Sequence, residues 1–245
     1  MAEARPIIFI HGLFHILQGF TAAGLGDRLV MTPDLPGYGS HEVGSSEISV
    51  ASAAEYVHGR IRAANCGRAH IVGHSIGGAV GVLLVSEHPE DVASFINVEG
   101  NFTLKDAFWS AKIANMPARE VETLIGGYQD DPEGWLKGIG IVPNPERIAL
   151  AGNGLNAQPA ATIQAMARSV VEVTSESSYL DRVRKILERK IPFHLVAGEH
   201  SREGWDVPEF VLQQAASFTV QPGVGHLMML EDAKGFLNII QELTS

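Results

Sequence analysis

The feature that most constrains the fold of this chain is a regular alternation of short β-branched apolar runs with helical patterns. Residues 6–10, 29–32, 70–72, 93–98, 193–197 and 217–221 read as strands, and residues 48–64, 76–87, 206–215 and 232–243 as helices between or after them. A strand wetted on one face would alternate polar with apolar side chains; these runs are nearly continuous. They therefore predict an α/β fold with a mostly parallel, doubly wound sheet covered on both faces. A length of 245 residues suffices for one such domain carrying an insertion.

The alternation fails between Thr103 and Lys190, where helix follows helix. Thr103 followed by Asp106 is close to a capping signal, and Pro117 suits a helix first turn. Asp131-Pro132, Asn144-Pro145 and Gln158-Pro159 mark further breaks. Residues 103–189 are thus expected to be a helical cap inserted into a core made of residues 1–102 and 190–245.

The strongest chemical signal is Gly73-His74-Ser75-Ile76-Gly77, with a strand pattern upstream and an apolar helical pattern downstream. A chain that turns sharply from strand to helix with a hydroxyl at its apex needs small neighbours, which Gly73 and Gly77 supply. Such a turn lifts the Ser75 oxygen above the sheet edge and aims the amides of the helix start at the same point. A second signal, His11-Gly12-Leu13-Phe14-His15, follows the first strand. Gly12 permits a tight turn, and the N–H groups of Leu13 and Ile76 are the natural pair to hold an oxyanion. His11 is read as structural, holding this loop through a ring hydrogen bond, whereas His15 is either a pocket wall or a turn cap. A third signal, Gly223-Val224-Gly225-His226-Leu227, brings an imidazole on a glycine loop to the carboxyl edge of the sheet, where a general base belongs.

Together with the turn Asp34-Leu35-Pro36-Gly37-Tyr38-Gly39-Ser40, and with Glu231 after His226, these motifs resemble the α/β-hydrolase superfamily, and within it the compact capped serine esterase and lactonase branch. The resemblance covers essentially the whole chain, the cap least. It implies a serine nucleophile, Ser75, a histidine base, His226, and a structural role for the 34–40 turn. The chain also begins at what resembles the family's third strand, so the usual first hairpin is expected to be absent. One departure concerns the acid. Many relatives place it in a Gly-x-x-Asp turn after the penultimate strand, but here that turn reads Gly198-Glu199-His200-Ser201. A subset places it one strand earlier, as in zearalenone-type lactonases, and there this chain has Glu99 ending an apolar strand. A carboxylate in that position needs a partner, and an imidazole would supply one. Glu99 is therefore the first candidate and Glu199 the alternative.

The substrate is the least legible part. Phe102, Phe108, Trp109, Met116, Trp135, Leu136, Ile139 and Leu155, with Phe14, His15 and Trp205, could wall an apolar pocket over Ser75, which favours a small hydrophobic ester or lactone. A serine in the elbow argues against dehalogenase and epoxide-hydrolase chemistry, which needs a carboxylate nucleophile. Carbon–carbon hydrolysis, perhydrolysis and a slow-turnover ligand sensor stay open. The formal charge of −10, with no basic run, argues against nucleic-acid partners. Ten scattered histidines and one cysteine show no metal-ligand spacing, and Cys66 reads as a small buried thiol. No cofactor, metal or membrane association is expected, and the chain reads as a cytoplasmic monomer or homodimer.

Overall fold

The computed structural model describes residues 5–17, 25–65 and 67–245, without the side chain of Phe108. The reading of Cys66 lies outside the described residues. Among those described, six strands form one sheet: β1 (Ile7–Ile10), β2 (Val30–Met31), β3 (Ala69–His74), β4 (Val92–Val98), β5 (Phe193–Gly198) and β6 (Ser217–Gln221). Their order is β2-β1-β3-β4-β5-β6, and each neighbouring pair is parallel. The strand expected over residues 29–32 shrinks to two residues, because β2 is an edge strand that pairs only with Ile7 and Ile8.

The period-two alternation of strand side chains divides the core into two layers. Ile8, Ile10, Ile71, Phe95 and Leu195 face helices α1 (Val50–Ala64) and α2 (Ile76–Glu87). Ile7, Phe9, Val72, Ile96 and Val196 face the terminal helix α11 (Ala233–Leu243). Helix α2 is buried on every side from Ile76 to Val85. A helix so apolar all round belongs in a core and not at a surface. Each fully buried side chain the size of Phe95 contributes about 1.5–3 kcal/mol.

Between β4 and β5 the described residues form six successive helices: α3 (Phe108–Asn115), α4 (Ala118–Asp130), α5 (Pro132–Gly138), α6 (Pro145–Asn156), α7 (Ala160–Ser175) and α8 (Ser177–Glu188). Pro132 and Pro145 occupy first turns, where a missing N–H costs nothing. The preceding Asp131 and Asn144 side chains each accept from an amide of the first turn at 2.8 Å. Two expectations need correction. Thr103 and Asp106 start no helix: the Asp106 carboxylate instead accepts from the amides of Phe102 and Thr103, and α3 begins only at Phe108. Pro117 stands at the N-cap of α4, just before its first turn. Helix α8 lies against α2, with Arg182 donating to Glu87 at 2.6 Å. The short helices α9 (Glu209–Gln214) and α10 (Met228–Glu231) complete the chain. No helix among the described residues is long and apolar enough to cross a membrane.

Candidate active site

Strand order reverses between β1 and β3, and in open parallel sheets ligands bind in the crevice at that point, beyond the carboxyl ends of the strands. Here β1 ends at Ile10 and runs into His11-Gly12, β3 runs into Ser75, and β4 runs into Glu99. Ser75 has φ 54° and ψ −123°, a conformation that L side chains rarely adopt, and its amide donates to the carbonyl of Val98 at 3.1 Å. The flanking glycines are required by space. A Cβ on Gly73 would strike the carbonyl oxygen of Gly77, and one on Gly77 would strike the carbonyl oxygen of Ile10.

Glu99 is likewise held at a positive φ, 42°, which turns its side chain back along the sheet edge. Its Oε2 lies 2.7 Å from Nδ1 of His226, while Oε1 accepts from the Gly198 amide at 2.8 Å and from the Ser201 hydroxyl at 2.6 Å. Burial pushes this carboxyl up, but the hydrogen bond and charge of His226, with the Ser201 and Gly198 donors, outweigh it and hold the group below its ordinary value. A carboxylate only accepts, so in the neutral His226 ring Nδ1 carries the proton and Nε2 the lone pair. The His226 side chain is 45% exposed, against 4% for Glu99. Sequence reasoning missed Ser201 as a partner of Glu99. The signal was present as the serine standing where many relatives have an aspartate.

His74 was also missed. Its Nε2 donates to the carbonyl of His226 at 2.9 Å, tying the serine turn to the histidine loop. Burial, then the nearby His226, bring its pKa down to about 3, so it is a neutral ring. Glu199, the alternative acid, is engaged elsewhere: its Oε2 accepts from the Gly223 amide at 2.7 Å. His11 holds the loop after β1, donating from Nδ1 to the carbonyl of Gly12 at 2.8 Å and accepting from the Leu35 amide on Nε2 at 3.3 Å.

Ser75, Glu99 and His226 line one cavity of about 610 Å³ together with Leu13, Phe14, Trp109, Trp135, Ile139 and Trp205. Five expected wall residues are absent from it, and the expectation for Phe108 lies outside the described side chains. His15 is buried, with Nε2 3.1 Å from Asp34 and its ring 4.0 Å from that of His11. Asp34 also accepts from the amide and hydroxyl of Ser40, so His15 braces the 34–40 turn instead of facing the cavity. Phe102 is fully buried, stacked on Trp205 and packed near Phe193. Leu136 and Leu155 pack in the layer that also holds Ile7 and Phe9, and Met116 packs against the layer of α1 and α2. The cavity also has a polar wall, Asn101, Asp106 and Ser110. Burial raises Asp106 to about 6, although the Phe102, Asn101 and Thr103 donors oppose the shift. Glu231, which also lines the cavity, accepts from the Gly225 amide beside His226, and its carbonyl accepts from Arg147 of α6 at 2.6 Å.

Comparison with known proteins agrees with this architecture. The chain is 24% identical to Lipase 3 of Moraxella sp. (strain TA144) over 249 aligned residues, covering 96% of this chain and 75% of that protein. Among solved structures, MenH from S. aureus superposes with a TM-score of 0.77 at 15% identity, covering 99% of this chain and 94% of that one. A putative lipase (lip1) from Acinetobacter baumannii AYE gives a TM-score of 0.73 at 21% identity, covering 99% and 85%. The sequence profile of the alpha/beta hydrolase family matches residues 7–239, and the chain belongs to that family.

Proposed function

We propose that this protein is a serine hydrolase that cleaves carboxylic ester bonds, with Ser75 as nucleophile, His226 as general base and Glu99 as the acid of the triad. The observation that carries this reading is the 2.7 Å contact between Glu99 and His226 Nδ1, made beside a strained serine turn that opens into the same cavity. Fixing the proton on Nδ1 leaves Nε2 to receive the Ser75 proton. Ser75 Oγ then attacks the carbonyl carbon, and the electron pair of the C=O bond moves to its oxygen. The amide of Ile76, first residue of α2, has no acceptor within the helix and is available to that oxyanion, with the Leu13 amide as second donor. Collapse of the tetrahedral adduct breaks the ester bond, and the imidazolium protonates the leaving alcohol. A water, deprotonated by His226, then releases the acid and restores Ser75. No step calls for a cofactor.

The aromatic wall supports a hydrophobic ester or lactone as substrate. Phe14 meets Trp109, Tyr128 and Trp135 edge-on, with centroids 5.8–6.2 Å apart. A fluorophosphonate should label the chain once, at Ser75, as read by mass spectrometry of the digest. Labelling at another residue, with Ser75 unmodified, would reject the assignment. Trp109→Ala should shift preference between long-chain and acetate esters on the order of tenfold, with a smaller change in the acetate rate. Equal losses on both esters with a lower Tm would mean that the ring only packs.

A further inference from the structure

We propose that Asn101, Asp106 and Ser110 form a subsite of the cavity for a hydrogen-bond-donating group of the substrate, a hydroxyl or an ammonium, and that the cavity turns anionic esters away. The acyl chemistry of this proposal rests on the role of Ser75 given above. Its first support is Ser110 of α3, which lines the cavity although only 4% exposed. A hydroxyl in a helix either points to open space or closes on the carbonyl four residues back, as Thr174 does on Val170 at 2.8 Å. For Ser110 that carbonyl belongs to Asp106, and it accepts instead from Nδ2 of Asn101 at 3.0 Å. The Ser110 hydroxyl has no partner among the described residues and is not sealed in by protein, so it opens to the cavity.

The other two side chains offer acceptors. Nδ2 of Asn101 is given to Asp106, so what its buried amide leaves without a partner is Oδ1. The Asp106 carboxylate accepts from the Phe102 amide on Oδ2 at 3.0 Å. On Oδ1 it accepts from the Thr103 amide at 3.3 Å and from Asn101 Nδ2 at 3.4 Å. A carboxylate has about four lone-pair positions, so one on Oδ2 remains for a ligand donor. The Ser110 hydroxyl rotates to suit, accepting from an ammonium or exchanging bonds with a hydroxyl. Asn101 stands two residues past Glu99, and two residues of chain span at most about 7 Å, which keeps the subsite beside the proposed triad.

Charge decides what is refused. Glu99, Asp106 and Glu231 line the cavity, and none of its described lining residues is a lysine or an arginine. Arg147, the cation bonded at Glu231, is committed to the carbonyls of Val142 and Glu231. Asp106, raised to about 6, is still ionised at pH 8. An anionic group entering here would give up its water to meet carboxylates and indole rings, with no cation to pair it. An ammonium would gain the Asp106 charge, and the faces of the tryptophans favour a cation as well.

Nitrophenyl esters with acyl chains of graded length, each ending in methyl, hydroxyl, ammonium or carboxylate, test the subsite in the full chain at pH 8. At the best length, kcat/KM for the hydroxyl and ammonium ends should exceed that for the methyl end on the order of tenfold. The carboxylate end should fall about a hundredfold below the methyl end. Ser110→Ala should cost the hydroxyl-ended ester about tenfold more than the methyl-ended one, and Asp106→Asn should cost the ammonium-ended ester about tenfold while raising the carboxylate-ended one. Should Asp106→Asn fail to fold, since its carboxylate also holds the Phe102 and Thr103 amides, the Ser110→Ala series and the carboxylate-ended ester decide. All three tryptophans of the chain line the cavity, so their fluorescence reads the order of binding without turnover as hexanol, hexylammonium and hexanoate are titrated. Hexanoate binding weakest, with no ester turned over, would reject the ester-cleaving reading and keep the subsite. Carboxylate-ended esters cleaved as fast as methyl-ended ones, equal losses on every ester in Ser110→Ala, or hexanoate bound as tightly as hexanol, would overturn the subsite.

Discussion

Replacing Ser75 with alanine is expected to lower kcat on a chromogenic ester by a factor on the order of 10⁴–10⁶ while the protein stays folded. The lower limit allows for catalysis that survives from the oxyanion donors and from binding alone. Folding should persist because the Ser75 side chain borders a cavity and leaves no packed core unfilled when shortened. A melting temperature within about 2 °C of the parent, with intact near-ultraviolet dichroism, checks this. A second variant separates backbone from chemistry. Ser75 sits at φ 54°, where glycine is at ease, so Ser75→Gly should be as inactive as Ser75→Ala yet melt no lower. An alanine variant that kept more than about a tenth of the parent rate would remove Ser75 from the mechanism.

The second large effect is expected at Glu99. Glu99→Gln should cost on the order of 10²–10⁴ in kcat with little change in stability. The argument rests on hydrogen-bond polarity. The amide oxygen of glutamine can still accept from the Gly198 amide and the Ser201 hydroxyl, which leaves its NH₂ facing Nδ1 of His226. Two donors cannot face one another, so the imidazole must accept at Nδ1 and carry its proton on Nε2, where the base needs a lone pair. Glu199→Gln removes no such constraint, since that carboxylate accepts from the Gly223 amide, and it should cost less than about tenfold. The two acids occupy neighbouring loops, so the double variant belongs in the series. An inactive Glu199→Gln beside a nearly normal Glu99→Gln would exchange their roles and leave Ser75 and His226 in place.

Much of this architecture is legible along the sequence because buried parallel strands and their covering helices write continuous apolar runs. Residues 76–87 bound α2 in the sequence as in the structure, the Gly-His-Ser-Ile-Gly turn marking its start. Asp131-Pro132 and Asn144-Pro145 mark real helix starts because a capping side chain and a proline act locally. Ambiguous local patterns and contacts between distant residues left no such mark. The aspartate of the 103–106 segment pairs with loop amides that a capping pattern cannot distinguish from those of a helix. Phe102 and His15 carry the right chemistry for a wall, yet one is stacked under Trp205 and the other is turned toward Asp34. The side on which an aromatic or a histidine ends up depends on partners far off in the chain, and a single sequence carries no record of them. The same holds for Ser201, whose bond to Glu99 spans two strands.

Placing the proposed acid just after β4 has a consequence for how such a protein diversifies. The turn after β5 supplies His200, Ser201, Gly204 and Trp205 to the cavity, but only one hydroxyl to the proposed proton relay. Its far end is moored independently, by Trp205 Nε1 on the carbonyl of Gly100. Between those moorings, Arg202 to Gly204 form an exposed turn with little to preserve. Insertions and exchanges there would reshape the mouth of the cavity without disturbing the Glu99–His226 contact. Specificity and turnover are thereby uncoupled at this turn, and a mutational library restricted to it can explore new substrates from a chemically intact starting point.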